Sequence, residues 1–232
     1  MTSCFTGGTD LNILVKICTL FVTHFWTFLA AFGMTVRVTV LSLIFATIIG
    51  IVVALIRLVG PKPLKAVGNV YISIIRGTPL MVQILFIYFG IPSALHVHLT
   101  LFAASVLTMS LNGGAYMAEI IRGGIEAVDK GQMEASRSLG LSYGQTMRLV
   151  ILPQALRMML PSIINQFIVT LKDTSLLSAI GLRELTQNTK IIVANNMEAL
   201  TMYFICGVWY WVVIFILTRV SRLVEKRTQY GR

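Results

Sequence analysis

Charge is scarce in this chain. Only 12% of its 232 residues are charged, against about a quarter in a typical soluble domain, and the charges come in clusters. None occurs between Val38 and Ile56, between Gly77 and Ala118, or between Ala199 and Thr218. Cysteine is nearly absent as well. Cys4, Cys18 and Cys206 have neither pairing nor metal-ligand spacing, which excludes a disulfide framework. His24, His96 and His98 form no ligand pattern either, so no metal site is expected. There is no Gly-x-x-x-x-Gly-Lys-Ser/Thr loop, so nothing here is built to cradle nucleotide phosphates. No cleavable signal peptide is evident, because the first apolar stretch runs straight into the next.

What fills the space is apolar: 56% of the residues are hydrophobic. A membrane helix needs roughly 20 predominantly apolar residues. Five spans satisfy both hydropathy and charge, at about 31–57, 69–91, 99–121, 150–180 and 199–219. Gly90, Pro92 and Ser93 mark the turn between the second and third. The net charge of +10 follows this pattern. Arg57, Lys62 and Lys65 follow the first span. Arg122, Lys130, Arg137, Arg148 and Arg157 lie in or beside the central loop, and Arg219, Arg222, Lys226, Arg227 and Arg232 form the tail. Basic blocks on alternate loops follow the positive-inside rule, so they are expected in the cytoplasm, with the N-terminus outside. The charge reports topology and not a nucleic-acid partner. Only Arg37 separates the uncharged run from Ile17 to Val36 from the next uncharged run, which begins at Val38. That leaves no room for a turn, and an interfacial or outward-extended helix is expected there.

Three domains follow: an N-terminal extension over 1–30, a membrane domain over 31–221 with its central loop at 122–153, and a basic tail over 222–232. The second span is interrupted by Arg76-Gly77-Thr78-Pro79, and the fourth carries Pro161, Asn165, Gln166, Lys172 and Asp173. Polar groups at membrane depth are costly and face a bundle interior or a wet cavity. No internal repeat is found, which argues against a complete secondary transporter. Five spans are few for a full translocation path, so a second membrane subunit is expected.

The central loop reads Asp129-Lys130-Gly131-Gln132-Met133-Glu134-Ala135-Ser136-Arg137-Ser138-Leu139-Gly140 and continues to Val150-Ile151-Leu152-Pro153. The spacing predicts a short helix stopped by Gly140 in a left-handed cap. Two readings are open on spacing alone. It is either a rigid helix that docks in a groove on a soluble partner or an amphipathic helix lying on lipid headgroups.

The loop resembles the signature loop of bacterial binding-protein-dependent ABC permeases: Glu-Ala-Ala, three residues, Gly, nine residues, Ile, one residue, Leu-Pro. Glu134, Ala135, Gly140, Leu152 and Pro153 match, while Ser136 and Val150 are mild replacements. Further stretches are similar to the polar amino acid permeases of that superfamily, from about Gly33 onward. They are Arg76-Gly77-Thr78-Pro79-Leu80 with Gln83, Asn112-Gly113-Gly114-Ala115-Tyr116 with Ala118-Glu119 and Arg122-Gly123, and Leu171-Lys172-Asp173-Thr174-Ser175-Leu176. The resemblance implies an all-α integral membrane protein of the type I ABC importer fold, with a cytoplasmic coupling helix, in a bacterial inner membrane. Glu134, Ala135, Ser136, Gly140, Leu152 and Pro153 would then engage the ATPase. The chain itself would be no enzyme and hold no cofactor. ATP and Mg would bind to a separate ATP-binding subunit dimer, and substrate would be delivered by an extracytoplasmic solute-binding protein. The pore would be completed by a second copy or a homologous permease.

Candidate substrate residues are Asn165, Gln166, Thr78, Gln83, Asn112, Tyr116, Thr174 and Ser175. For Asn165 and Gln166 the alternative is helix-to-helix hydrogen bonding, a common use of amides in membrane bundles. Relatives selective for cationic amino acids often have an acidic residue where Gln166 stands. An amide there leaves a guanidinium or ammonium without a counter-charge, which is costly at low dielectric. A neutral polar substrate such as glutamine or cystine is therefore expected, ahead of a cationic amino acid or an opine. A scaffold or exporter component without a substrate site is the rival from another class. Arg76 and Asp173 are expected to form an ion pair between the second and fourth spans, with substrate recognition as the sharper alternative. Glu119 and Arg122 should pair locally. Trp209-Tyr210-Trp211 falls in mid-span, where an aromatic belt does not account for it.

Overall fold

The computed structural model describes residues 9–229, with side chains from 13 to 223. Residues 1–8 of the expected extension, the tail residues 230–232 and the tail side chains beyond 223 lie outside the described residues. Among the described residues every element is helical.

Helix α1 (Thr9–Val59) is 51 residues long, about 77 Å at 1.5 Å per residue. It passes through 17–36 without a break, so that run is the N-terminal half of one long helix and not a separate crossing. Its C-terminal half lies along α4 (Leu101–Glu126) in a close seam. Ala46 faces Gly113, Ile49 faces Gly114, and Gly50 faces Met117. A Cβ at Gly50 would lie 2.6 Å from the Met117 Cβ, and one at Gly114 2.6 Å from the Ile49 Cγ2. Small residues let the two backbones approach, which is how helices associate where there is no water to expel. The same packing explains the composition of α4. Its Ser105, Thr108, Ser110, Asn112, Gly113 and Gly114 are all buried. The three hydroxyls bond to carbonyls four residues back, at 2.6, 2.7 and 2.5 Å.

Between them, α2 (Lys62–Gly77) and α3 (Leu80–Leu95) meet at a bend of 107°. Pro79 causes the break, since a proline drives the preceding residue out of the helical region, and Thr78 is extended at φ −119°, ψ 146°. The expected second span is thus a bent pair, broken at the tetrapeptide that interrupts its sequence. By length and composition α1, α6 (Tyr143–Ile180) and α8 (Ala199–Gln229) can each cross a membrane, and the bent pair makes a fourth. The 26-residue α4, the expected third span, is not among them by that measure, so three helices and one bent pair stand where five spans were expected.

Two π turns, Phe86–Gly90 and Met147–Ile151, share one origin. Each stands immediately before Ile91-Pro92 or Leu152-Pro153, and in each the N–H of the pre-proline residue donates to the carbonyl five back. Widening the turn relieves the clash that a proline ring makes with the carbonyl four back.

The N-terminal half of α1 packs on α7 (Leu185–Asn196) and α8. The ring of Trp209 is surrounded by Phe21, Phe25, Phe28 and Phe32, with centroids 5.7 to 6.3 Å away. Tyr210 donates to Glu184 at 3.0 Å, while Trp211 points outward beside Phe215. The tripeptide is therefore three separate contacts and not a belt. Glu184 caps α7, accepting from the N–H groups of Thr186 and Gln187 at 2.9 and 2.7 Å. Complete burial pushes its carboxyl above the usual carboxylate range, against the opposing pull of those bonds.

Candidate functional site: the coupling loop and the polar groups at membrane depth

Helix α5 (Lys130–Ser138) projects between α4 and α6 and is locked at both ends. At its start the Asp129 carboxylate accepts from the Gly131 N–H at 2.7 Å. At its end Gly140 adopts φ +85°. Its N–H donates to the Arg137 carbonyl at 3.0 Å, and that of Leu141 to the Ser136 carbonyl at 3.2 Å. This pair of bonds is a Schellman cap, which satisfies the last carbonyls of the helix. Ser142 and Gln145 then form a reciprocal capping box that opens α6.

The loop side chains divide cleanly. Met133 packs against the Val128, Ile151 and Ala155 cluster, and Ser136 is buried with its hydroxyl on the Gln132 carbonyl at 2.7 Å. A small residue is needed at 136, and Ser meets that need as well as Ala. Glu134 and Ala135 face outward, as do Leu139, 84% exposed, and Tyr143. Leu152 is half-buried and Pro153 exposed where the π turn ends and α6 becomes regular. Leu139 and Tyr143 were missed by sequence reasoning. The available signal was an apolar residue next to a cap glycine on an otherwise polar helix.

At membrane depth, Gln83, Thr78 and Asn112 form one network. The Gln83 amide donates to the Ile75 carbonyl at 2.7 Å, the Thr78 carbonyl at 3.1 Å and the Thr78 hydroxyl at 2.9 Å. Its oxygen accepts from Asn112 at 3.0 Å. These groups satisfy the backbone left open by the α2–α3 break and tie it to α4. In α6, Gln166 is 8% exposed and donates to Thr170 of its own helix at a long 3.4 Å. Asn165 is exposed beside it. Thr174 is buried, with its hydroxyl on the Leu171 carbonyl at 2.6 Å, and Ser175 is half-buried. No hydrogen bond links the α6 group to the Gln83 group among the described residues.

The expected Arg76–Asp173 ion pair does not form. Instead α2 packs on α4, and Arg76 at its end lies 3.7 Å from Glu119 and over the Tyr116 ring, 5.4 Å from its centroid. Asp173 has no salt bridge among the described residues. Glu119 and Arg122 pair at 2.8 Å as expected, and Arg57 of α1 joins them on the other carboxylate oxygen.

A bundle of membrane helices with a capped polar helix thrust between two of its spans defines a helical membrane protein with an ordered polar projection. Residues 46–230 match the family described as binding-protein-dependent transport system inner membrane components, and the chain belongs to that family. The glutamine transport system permease protein GlnP of Escherichia coli (strain K12) is 42% identical over 195 residues, 84% of this chain and 89% of its own length. The L-cystine transport system permease protein TcyB of Bacillus subtilis (strain 168) is 42% identical over 83% of this chain and 82% of its own. The arginine transport system permease protein ArtQ of the same organism is 37% identical over 86% and 91%. Among solved structures, a chain of an amino acid ABC transporter crystallised with histidines superposes with a TM-score of 0.83 at 36% identity, covering 98% of this chain and all of that one. The MetNI methionine ABC transporter in an inward-facing conformation gives 0.75 at 16% identity over 89% and 98%, a likeness of fold alone. The fold is that of the type I ABC importer permeases.

Proposed function

We propose that this chain is the membrane-spanning subunit of an ATP-driven importer for a polar amino acid, and that the amino acid is neutral, such as glutamine or cystine. The observation that carries the reading is α5. Nine residues are held rigid by caps at both ends, yet Glu134, Ala135, Leu139 and Tyr143 are turned away from the bundle. An ordered surface with exposed apolar side chains is what seats in a groove, and here the occupant is an ATP-binding subunit that carries ATP and Mg. A dimer of such subunits works beneath two permeases, a pair of copies or this chain with a homologue. A solute-binding protein delivers substrate from outside. The N-terminus is outside and the C-terminus is cytoplasmic. The chain catalyses no reaction itself.

Gln166 supports the neutral substrate, since a nearly buried amide can donate and accept but cannot neutralise a cation. Asn165, Tyr116 and Ser175 make no side-chain hydrogen bond among the described residues and are available to a ligand. Asp173, without its expected partner, serves as counter-charge to the α-ammonium group shared by all amino acids. Gln83, Thr78, Asn112 and Thr174 belong to the same wall, and act by holding its backbone in place. The test is to purify the chain with its co-expressed partners and ask which amino acid, delivered by the binding protein, stimulates ATP hydrolysis. Stimulation by glutamine or cystine is expected. Stimulation by arginine or lysine alone would replace the neutral reading with the cationic one, and no stimulation by any amino acid would overturn the proposal.

A further inference from the structure

One carboxylate, Glu119, stands among three guanidinium groups from three helices. Arg57 comes from the inner end of α1, Arg76 from the end of α2, and Arg122 from α4 itself. Arg57 and Arg122 take one carboxylate oxygen each. Arg57 also donates through Nε to Asn69 of α2 at 2.7 Å, and Arg122 reaches on to Glu126 at 2.5 Å. Each Glu119 oxygen thus already accepts from one guanidinium. At 3.7 Å Arg76 is attracted but not hydrogen-bonded, and it makes no hydrogen bond at all among the described residues. It is 43% exposed on its side chain and rests on Tyr116, which is 37% exposed in a stretch of α4 that is otherwise buried from Asn112 to Ala118. Counting the five groups, three positive and two negative charges leave the cluster with a surplus of one positive charge. Arg57 and Arg122 are the fixed members, and Arg76 is the one that can move.

The position of this cluster gives that looseness a use. On one side, α4 continues from Glu119 through Ile120, Ile121 and Ile125, which pack with Met133 of α5 and with Ile151 and Met159 of α6. Any displacement of α5 therefore reaches the inner end of α4 through packed side chains. On the other side, Arg76 is the residue before the Gly77-Thr78-Pro79 break, where the chain turns by 107°. A Cβ at Gly77 would meet nothing within 4 Å, so the break has open space around it. Beyond it Gln83 grips the same break and Asn112.

We infer that the Glu119 cluster positions the α2–α3 break with respect to the coupling loop, and that Arg76 is its movable arm, tightening on or releasing from Glu119 as the transporter cycles. The inference rests on the importer reading above. Arg76 acts through the break and is a positioning residue.

The experiment compares wild type, Arg76→Gln and Arg76→Lys in the purified complex with its ATPase and binding protein, reconstituted in vesicles. The readout is amino acid moved per ATP hydrolysed. Because transport and hydrolysis both scale with the folded fraction, this ratio is insensitive to a variant that merely folds poorly. Arg76→Gln should lower it by about fivefold or more, while Arg76→Lys, which keeps the charge without the planar fork, should stay within about twofold of wild type. A ratio for Arg76→Gln within about twofold of wild type overturns the inference and leaves the importer reading standing. An equal loss in both variants also overturns it, because the charge on the arm would then not matter. A wild-type complex that no amino acid stimulates overturns the importer reading, and this inference with it.

Discussion

Substitution of Gly140 separates backbone geometry from side-chain packing, because its backbone is left-handed while the space for a Cβ is open. Its φ is +85°, a region that costs an ordinary L-residue roughly 1–2 kcal/mol. An added Cβ meets no atom within 4 Å, so there is no steric clash with neighbours to confuse the result. What is at risk is the cap. If residue 140 leaves the left-handed region, the 3.0 and 3.2 Å bonds to Arg137 and Ser136 go with it, each worth about 0.5–1.5 kcal/mol net. Asn tolerates this region better than other non-glycine residues, Ala tolerates it poorly, and β-branched Val is worst. The expected order of loss is therefore Asn, then Ala, then Val. For Ala the cost is about 1 kcal/mol or slightly more. For Val it exceeds about 2 kcal/mol, enough to fray the end of a nine-residue helix in most molecules. The assay is co-purification of the ATPase subunit with each variant from membranes, with uptake measured beside it and protein level as control. Gly140→Val should remain in the membrane while losing both. If Val and Asn retain the ATPase equally, the left-handed cap is irrelevant to docking and the argument fails.

Three further outcomes follow from buried contacts. Gly50→Ala places a methyl group 2.6 Å from the Met117 Cβ and 3.0 Å from the Ala118 nitrogen; overpacking of this kind costs about 1–3 kcal/mol and should lower thermal stability in detergent, and an unchanged melting temperature would mean the α1–α4 seam is looser than described. Gln83→Leu strips the break of its partners at Ile75, Thr78 and Asn112, leaving buried polar groups unsatisfied at about 1–3 kcal/mol. Its stability should fall well below that of Gln83→Asn, and equal stability of the two would refute the bridging role. Gln166→Glu should weaken binding of the native neutral amino acid about tenfold and improve that of arginine or lysine, by direct binding of labelled amino acids to the purified complex; identical affinities in Gln166→Glu, Gln166→Ala and wild type would make Gln166 a packing residue.

The features legible in the sequence are those whose cause is local. Pro79 acts on Thr78, so the interruption at 76–79 marks the place of the bend, though not its 107°. Gly140 acts on its own φ, and the helix before it ends there. The two π turns were also within reach, since each stands directly before a pre-proline residue inside an apolar run. The partner of Arg76 was not legible, and the reason is geometric. Glu119 lies on α4, 43 residues further along the chain, and only the packing of α2 on α4 brings it beside Arg76. The Trp209 site failed for a different reason. Phe21, Phe25, Phe28 and Phe32 recur at helical spacing on one face of α1, a stripe that marks a packing partner. Its partner, however, stands more than 170 residues away in α8. A stripe announces that something is covered without saying by what. The polar groups at membrane depth show the same division. Their residue types announced a cost that must be met, but whether Gln83 meets it with backbone or with substrate depends on where the break puts the Ile75 and Thr78 carbonyls. Gln83 is committed to the fold, whereas Asn165 and Asp173 are not. The residues most available to a ligand are therefore those the fold has left without a partner.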